Sequence, residues 1–508
     1  MPVQIEKWDY FELVLPAQVS GNPFLDVQFS VDFTHQHRSI HVNGFYDGDG
    51  LFKARLMPDM EGAWRYVTHS SIAALDGQRG EFICTPPTDD NHGPVRVIDR
   101  AHFAYADGTP FHPVGTTCYV WNLQGDALEE QTLATLKRTP FNKMRMCVFP
   151  KRYQFNKNEP PNYPFEGEVK GKWDPANLNH FRTPPPPPDY WNFGCFNPEY
   201  FRHLEKRILD LRALGIEADL ILFHPYDFGA WGFDRMPTEV NERYLRYLVA
   251  RVAAFRNVWW SFANEYDLMF DRTLADWDGY FKLVQDLDPY DHLRSIHNCF
   301  GFYDHRKPWV THCSIQHHNL LEVPNWLQQY GKPVVVDECG YEGDIHMIWG
   351  SLSAEELVLR HWLGFACGGY VGHGETYWNE EERLWWSKGG ELHGESVPRL
   401  AFLRRIIEAA PAPGLFPLPA DHNIRQPIIE GGWNKVSAGH NGTDYYLLYL
   451  GMHQPRFRNF SLPEGSYRID ILDTWNMTIE PFSEHVSGQV QVELPRKKYL
   501  AVRIERNR

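Results

Sequence analysis

The chain has 508 residues, too many for one ordinary hydrophobic core, so two to four domains are expected. Its 43% apolar and 23% charged residues are a globular composition rather than a disordered one. A formal charge of −15 would repel a polyanion, which sets aside nucleic acid and an anionic membrane surface as partners.

No window approaches the ~18 apolar residues of a membrane span. The first residues, MPVQIEKWDYFELVLP, lack the basic and apolar stretches of a secretory signal. The eight cysteines are scattered without a CxxC pair and read as reduced, mostly buried thiols. A cytoplasmic protein with no cofactor is expected. Aromatic content is 15%, with 18 Trp and 25 Tyr, rings that pair a flat apolar face with a polar edge.

Residues 1–96 alternate in short runs broken by Gly, Asp and Pro, such as Leu25, Val27, Phe29 and Val31. That period of two predicts an antiparallel β-sandwich of immunoglobulin-like size. From 97 to 411 apolar runs of strand length alternate with helical patterns. A helix over 197–214 is signalled by Asn197 as N-cap, Pro198, the stripe Phe201, Leu204, Ile208 and Leu211, and Gly215 as stop. A capping box from Ser353 to Glu356 opens another. Eight candidate strands (FHPVGTTCYV, FNKMRMCVF, ADLILF, VWWSFA, HLRSIHN, THCSIQ, KPVVVD and GYVGHGETYW) predict an α/β fold, a (β/α)₈ TIM barrel. Residues 412–508 return to short alternating strands and predict a small C-terminal β-sandwich. The connection 151–196 holds five consecutive prolines and ten aromatics. It leaves the second strand on the face where barrels keep their chemistry, which favours a lid over a polyproline spacer.

Two glutamates follow buried runs directly: Glu265 after VWWSFAN and Glu338 after VVVD. Other strand ends carry His224, then His317 and His318, then Glu375 and Trp378. A single polar residue there is most simply a helix cap or loop group. Five ends converging on acids, imidazoles and aromatics predict a polar pocket with an aromatic floor. Two carboxylates are what cleavage of a glycosidic bond needs, one to protonate the leaving oxygen and one to attack.

FNKMRMCVF, FANEYD and VVVDECGYEG resemble the strand-2, strand-4 and strand-7 motifs of retaining glycoside hydrolases of clan A. The three-part layout resembles the apiosidase-like barrels flanked by β-sandwiches. The resemblance implies Glu265 as acid/base and Glu338 as nucleophile. It implies Asn264 on the sugar 2-hydroxyl, and Arg145 or a histidine (His224, His317, His318) beside Glu338 or the substrate. Trp378 would stack under the sugar, with Trp121 and Tyr119 as further candidates. Glu375 is an extra acid that would grip hydroxyls or pair with a loop cation. The substrate would be an oligosaccharide or other glycoside, taken by an exo-acting enzyme, and homo-oligomer formation is left open. Two rivals stand beside this reading. One is a non-catalytic glycan-binding protein. The other is a metal-dependent TIM-barrel hydrolase using His224, His312, His317, His373 and Glu338.

Overall fold

The computed structural model describes residues 2–171, 189–419, 422 and 436–507. At its centre are eight short parallel strands: β1 (Gly115–Thr117), β2 (Lys143–Cys147), β3 (Glu217–Phe223), β4 (Val258–Ala263), β5 (Arg294–Ser295), β6 (Cys313–Gln316), β7 (Val334–Glu338) and β8 (Tyr370–Val371). Strands β1 to β5 form one sheet and β6 to β8 another. Single parallel bridges, His297 to Ser314 and Thr116 to His373, join the two sheets at both edges, so the strands close into a ring. Every strand position expected from the sequence is occupied.

The strands read as near-continuous apolar runs because both faces are covered. Val258–Ala263, for example, is buried throughout. Helices α1 (Asp126–Leu136), α2 (Pro198–Ala213), α3 (Thr238–Val252), α4 (Leu274–Leu287), α5 (Val323–Tyr330) and α6 (Ala354–Phe365) lie between strands, while α7 (Trp385–Lys388) and α8 (Ser396–Glu408) follow β8. No helix is assigned between β5 and β6. Helix α2 starts as its sequence dictates, with the Asn197 side chain accepting from the Glu199 amide. The expected capping box at α6 is only half present. Ser353 accepts from the Glu356 amide, but the Glu356 carboxylate turns to Arg360 instead. The reciprocal box occurs at α4, between Thr273 and Asp276.

Before the ring, a five-stranded and a three-stranded sheet pack through rings such as Phe11 stacked on Phe82 at 4.3 Å. Their contact with the ring includes a buried charge chain. Arg55 meets Glu205 at 3.0 Å, Glu205 meets Arg251 at 2.5 Å, and Arg251 meets Asp47 at 2.7 Å. Such a chain fixes the docking geometry, since removing one member strands a buried charge. The strand Val95–Ile98 crosses the expected boundary at residue 96 and pairs with His102–Tyr105. This small sheet covers the lower end of the ring, where Phe103 and Phe111 pack on Trp259.

After the ring comes a six-stranded sheet. In its strand Tyr445–Gly451 the odd residues Tyr445, Leu447 and Tyr449 join the main core, and Tyr446, Leu448 and Leu450 join a second, separate one. No helix among the described residues is long and apolar enough to cross a membrane. In the connection 151–196, Phe165–Gly167 pairs antiparallel with Trp191–Phe196. Trp173 and the five prolines of the expected lid lie outside the described residues.

Candidate active site

The upper ends of the ring strands converge on two carboxylates. Glu338 closes β7 and Glu265 follows Asn264 at the end of β4. Consecutive strand residues normally point to opposite faces, yet both Asp337 and Glu338 reach inward. The register explains this: Ser314 pairs with Val335 but Gln316 with Glu338, so β7 carries one extra residue, a β-bulge. Asp337 then bonds Lys143 at 2.8 Å and Ser314 at 2.6 Å below the site, and Lys143 also meets Asp219 at 2.6 Å. Burial opposes the Asp337 charge, but Lys143 and Arg145 hold its carboxyl below the usual range. Glu265 itself has a left-handed backbone, φ 49°, an uncommon state for a non-glycine residue that turns its side chain back over the ring.

Around Glu338 stand the Tyr119 hydroxyl, which donates to Oε1, and Arg145, whose Nη1 is 3.2 Å away. Tyr119 and Arg145 also hold Asn264, each 3.2 Å from its Oδ1. The Asn264 amide nitrogen makes no hydrogen bond among the described residues and is the end left for a ligand. Tyr226 donates to Glu265 Oε2. The amide of Gln316 lies 3.1 Å from both Glu265 Oε1 and Glu338 Oε2; facing only acceptors, it presents its nitrogen to both. His297 lies beneath, its Nε2 3.6 Å from Glu338 and burial holding the ring neutral.

The Glu265 carboxyl is pushed up to about 8, by burial first and then by the Glu338 charge, with Lys151 pulling the other way. Lys151 is itself pushed down to about 8 by burial. Its ammonium sits among the rings of Tyr119, Tyr226, Trp386 and Tyr153. The site therefore holds one carboxyl that is protonated at neutral pH beside one that contacts an arginine.

Of the residues expected from the sequence, Glu265, Glu338, Asn264 and Arg145 come together here, with Tyr119. The others do not. His224 is buried with Nε2 on the Phe149 carbonyl and Nδ1 accepting from the Tyr226 amide, so it supports Tyr226 rather than facing a ligand. The His317 side chain turns outward, stacks on His318, meets Trp326 edge to face, and accepts from the Asn319 amide. Ser314 and Gln316 take the inward positions of β6, and the alternation places His317 opposite. Glu375 accepts from the His393 and Gly394 amides ahead of α8. Trp378 is 54% exposed beyond the strand end. Trp121 is fully buried against the Arg207 guanidinium of α2. The five residues of the metal-dependent alternative are not gathered either: His312 packs on Phe103 and Trp259 near the lower end, and His373 bonds Thr116.

Sequence reasoning missed Gln316, Tyr226, Lys151, His297 and Trp386. Gln316 was findable, two positions after Ser314 on the same face. Trp386 stood in the pair Trp385-Trp386 just after β8. Lys151, a lysine directly following the apolar run MCVFP, carried a weaker signal.

Residues 98–411 match the family described as apiosidase-like, catalytic domain. Residues 4–71 and 433–505 match two domain families of unknown function. No curated protein matches the sequence. A crystal structure of a putative glycoside hydrolase from Bacteroides vulgatus is 40% identical, with 99% of this chain and 100% of that one covered and a TM-score of 0.89. A glycoside hydrolase of family 5 from the same organism is 15% identical, with 82% and 94% covered and a TM-score of 0.59, a likeness of fold.

Proposed function

Because the chain belongs to the apiosidase-like family of glycoside hydrolases and is a glycosidase, we propose that it cleaves by the retaining, two-step route, with Glu338 as nucleophile and Glu265 as acid/base. The ring is read as the clan A (β/α)₈ barrel over 97–411, and the outer sheets as flanking β-sandwiches, 1–96 and 412–508.

The observation that carries the mechanism is Gln316. One amide nitrogen 3.1 Å from an oxygen of each acid keeps those oxygens no more than twice that distance apart. Retaining enzymes hold their carboxyls about 5–5.5 Å apart, whereas inversion needs roughly 6.5–9.5 Å to admit a water between them. Glu265, protonated at neutral pH, gives its proton to the departing oxygen as the C1–O bond breaks. A Glu338 oxygen forms the ester to C1, Asn264 bonds the 2-hydroxyl, and water then reverses the transfer with Glu265 as base. The Trp386 ring, beside Tyr153 and Tyr341, takes the sugar-stacking role expected of Trp378. Glu265 is buried and the Glu338 side chain 12% exposed, which supports exo action on short oligosaccharides.

A panel of aryl xylosides, galactosides, glucosides, arabinofuranosides and apiosides, run with wild type and Glu338→Gln, tests this reading. One glycoside should be turned over by wild type alone, and its 2-fluoro analogue should label Glu338. A label on Glu265, or full turnover by Glu338→Gln, would sink the assignment.

A further inference from the structure

Lys151 is the charged group in this pocket to which the two-carboxylate scheme gives no task. It follows β2 by four residues and is only 2% exposed. Its ammonium lies 3.4 Å from the ring centroid of Tyr119 and 4.1 Å from that of Tyr226, with Trp386 at 4.9 Å and Tyr153 at 5.9 Å. Among the described residues it donates no hydrogen bond. A buried cation without an acceptor is costly, and four ring faces offset only part of that cost. The nearest two rings are the informative ones. The hydroxyl of Tyr119 bonds Glu338 and that of Tyr226 bonds Glu265, so the cation is seated between the two acids. Both carboxylates act on it electrostatically, without a direct ion pair to either.

We propose that Lys151 is the shared counter-cation of the two glutamates, a positioning residue opposed by Glu338 in the resting enzyme and by Glu265 in the glycosyl-enzyme intermediate. The proposal rests on the retaining reading. In the first step the C1–O bond breaks, the Glu265 proton goes to the departing oxygen, and a Glu338 oxygen bonds C1. The negative charge thereby leaves Glu338 and appears on Glu265. In the second step a water oxygen bonds C1, its proton goes to Glu265, and the ester bond breaks, returning the charge to Glu338. The pair carries one negative charge throughout, but that charge crosses the pocket twice. A cation bound to one acid would stabilise one state and burden the other. Arg145 is such a cation, tied to Glu338, Asn264 and Asp219. Held by ring faces, Lys151 is committed to neither acid.

The titratable groups facing Lys151 are Cys147, Glu338, Glu265, Arg145, His224 and the tyrosines Tyr119, Tyr153 and Tyr226; those facing Glu265 are Glu338, Lys151, Cys299, Asp267, Tyr119, Tyr153 and the Tyr226 hydroxyl. Full-length wild type, Lys151→Met, Lys151→Gln and Lys151→Arg are compared for melting temperature, kcat and the pH profile of kcat/KM on the best aryl glycoside. Lys151→Met should lose about 10²-fold in kcat, comparable to deleting one preorganised electrostatic group. Its basic limb, near pH 8 in wild type, should move up by about one unit, because the cation that favours ionised Glu265 is gone. Lys151→Arg should bring the limb part of the way back. Lost activity with an unmoved limb means a merely structural lysine and overturns the proposal, as does unchanged activity. If Lys151→Met does not fold, a limb shifted further in Lys151→Gln than in Lys151→Arg supports it, and two unmoved limbs overturn it. Failure of the underlying mechanism is read separately: wild type then gives no 2-fluoro label on Glu338.

Discussion

Two pairs of glutamates lie at or just beyond the ends of β4, β7 and β8, and they live in opposite worlds. Glu265 and Glu338 face the ring axis among Arg145, Lys151, tyrosines and the Gln316 amide. Glu342 and Glu375 are buried more deeply still, yet their oxygens go to the amides of residues 393–396, where α8 begins. Gly394 lets that loop come close, since a Cβ there would stand 2.4 Å from Glu342 Oε2. The outer pair satisfies the orphan donors and the positive end of a helix; the inner pair is held by the side chains of Tyr119, Tyr226, Gln316 and Arg145. Burial alone does not mark an acid that can meet a ligand. What marks it is whether its partners are fixed backbone or groups that a ligand can displace.

The contrast predicts a graded set of outcomes. Glu338→Gln should lower kcat on the order of 10⁴-fold, as when a covalent nucleophile is removed, while melting stays near wild type. A loss below tenfold would dissolve the distinction between the pairs.

Glu265→Gln should cost about 10²- to 10⁴-fold with poor leaving groups and abolish the fall in kcat/KM above about pH 8. Its stability should change with the opposite sign. A carboxyl raised from 4.5 to about 8 in the folded state holds a proton that the unfolded chain has released, so stability is lost as pH rises through that window. Glutamine removes the ionisation, and Glu265→Gln should melt above wild type at pH 9. A lower melting temperature there would argue that the carboxyl is not held protonated.

Glu342→Ala should invert the pattern, costing about 1–3 kcal/mol in urea unfolding because buried amides lose their acceptors, with kcat on a small aryl glycoside nearly unchanged. A selective loss of kcat would place Glu342 in the reaction after all. Smallest of all, Trp378→Ala should stay within about 0.5 kcal/mol of wild type in stability and leave KM for a monosaccharide glycoside unaltered. A large rise in KM would return that ring to the pocket.

Much of this was legible beforehand. Strand positions came from runs such as VWWSFA and KPVVVD, whose length and apolarity leave few alternatives. Glu265, Glu338, Asn264 and Arg145 were legible because an acid or arginine in or directly after a buried strand needs a reason to be there. The errors share one cause. His317, Glu375 and Trp378 were chosen for lying near strand ends, without knowing which face each would take. A bulge in β7 sends Asp337 and Glu338 the same way, while regular alternation in β6 turns Gln316 in and His317 out.

The sequence by itself determined where the eight strands lie and which acids and which arginine end up in the ring, because covalent order and apolar periodicity are local properties. Only the tertiary structure decided which acids share a pocket, that Gln316 bridges them, that Glu342 and Glu375 serve a helix start, and that Lys151 sits caged beside Glu265 and Glu338. Those contacts join residues far apart in the chain, 219 positions between Tyr119 and Glu338, and depend on register, bulges and loop paths that no local pattern encodes.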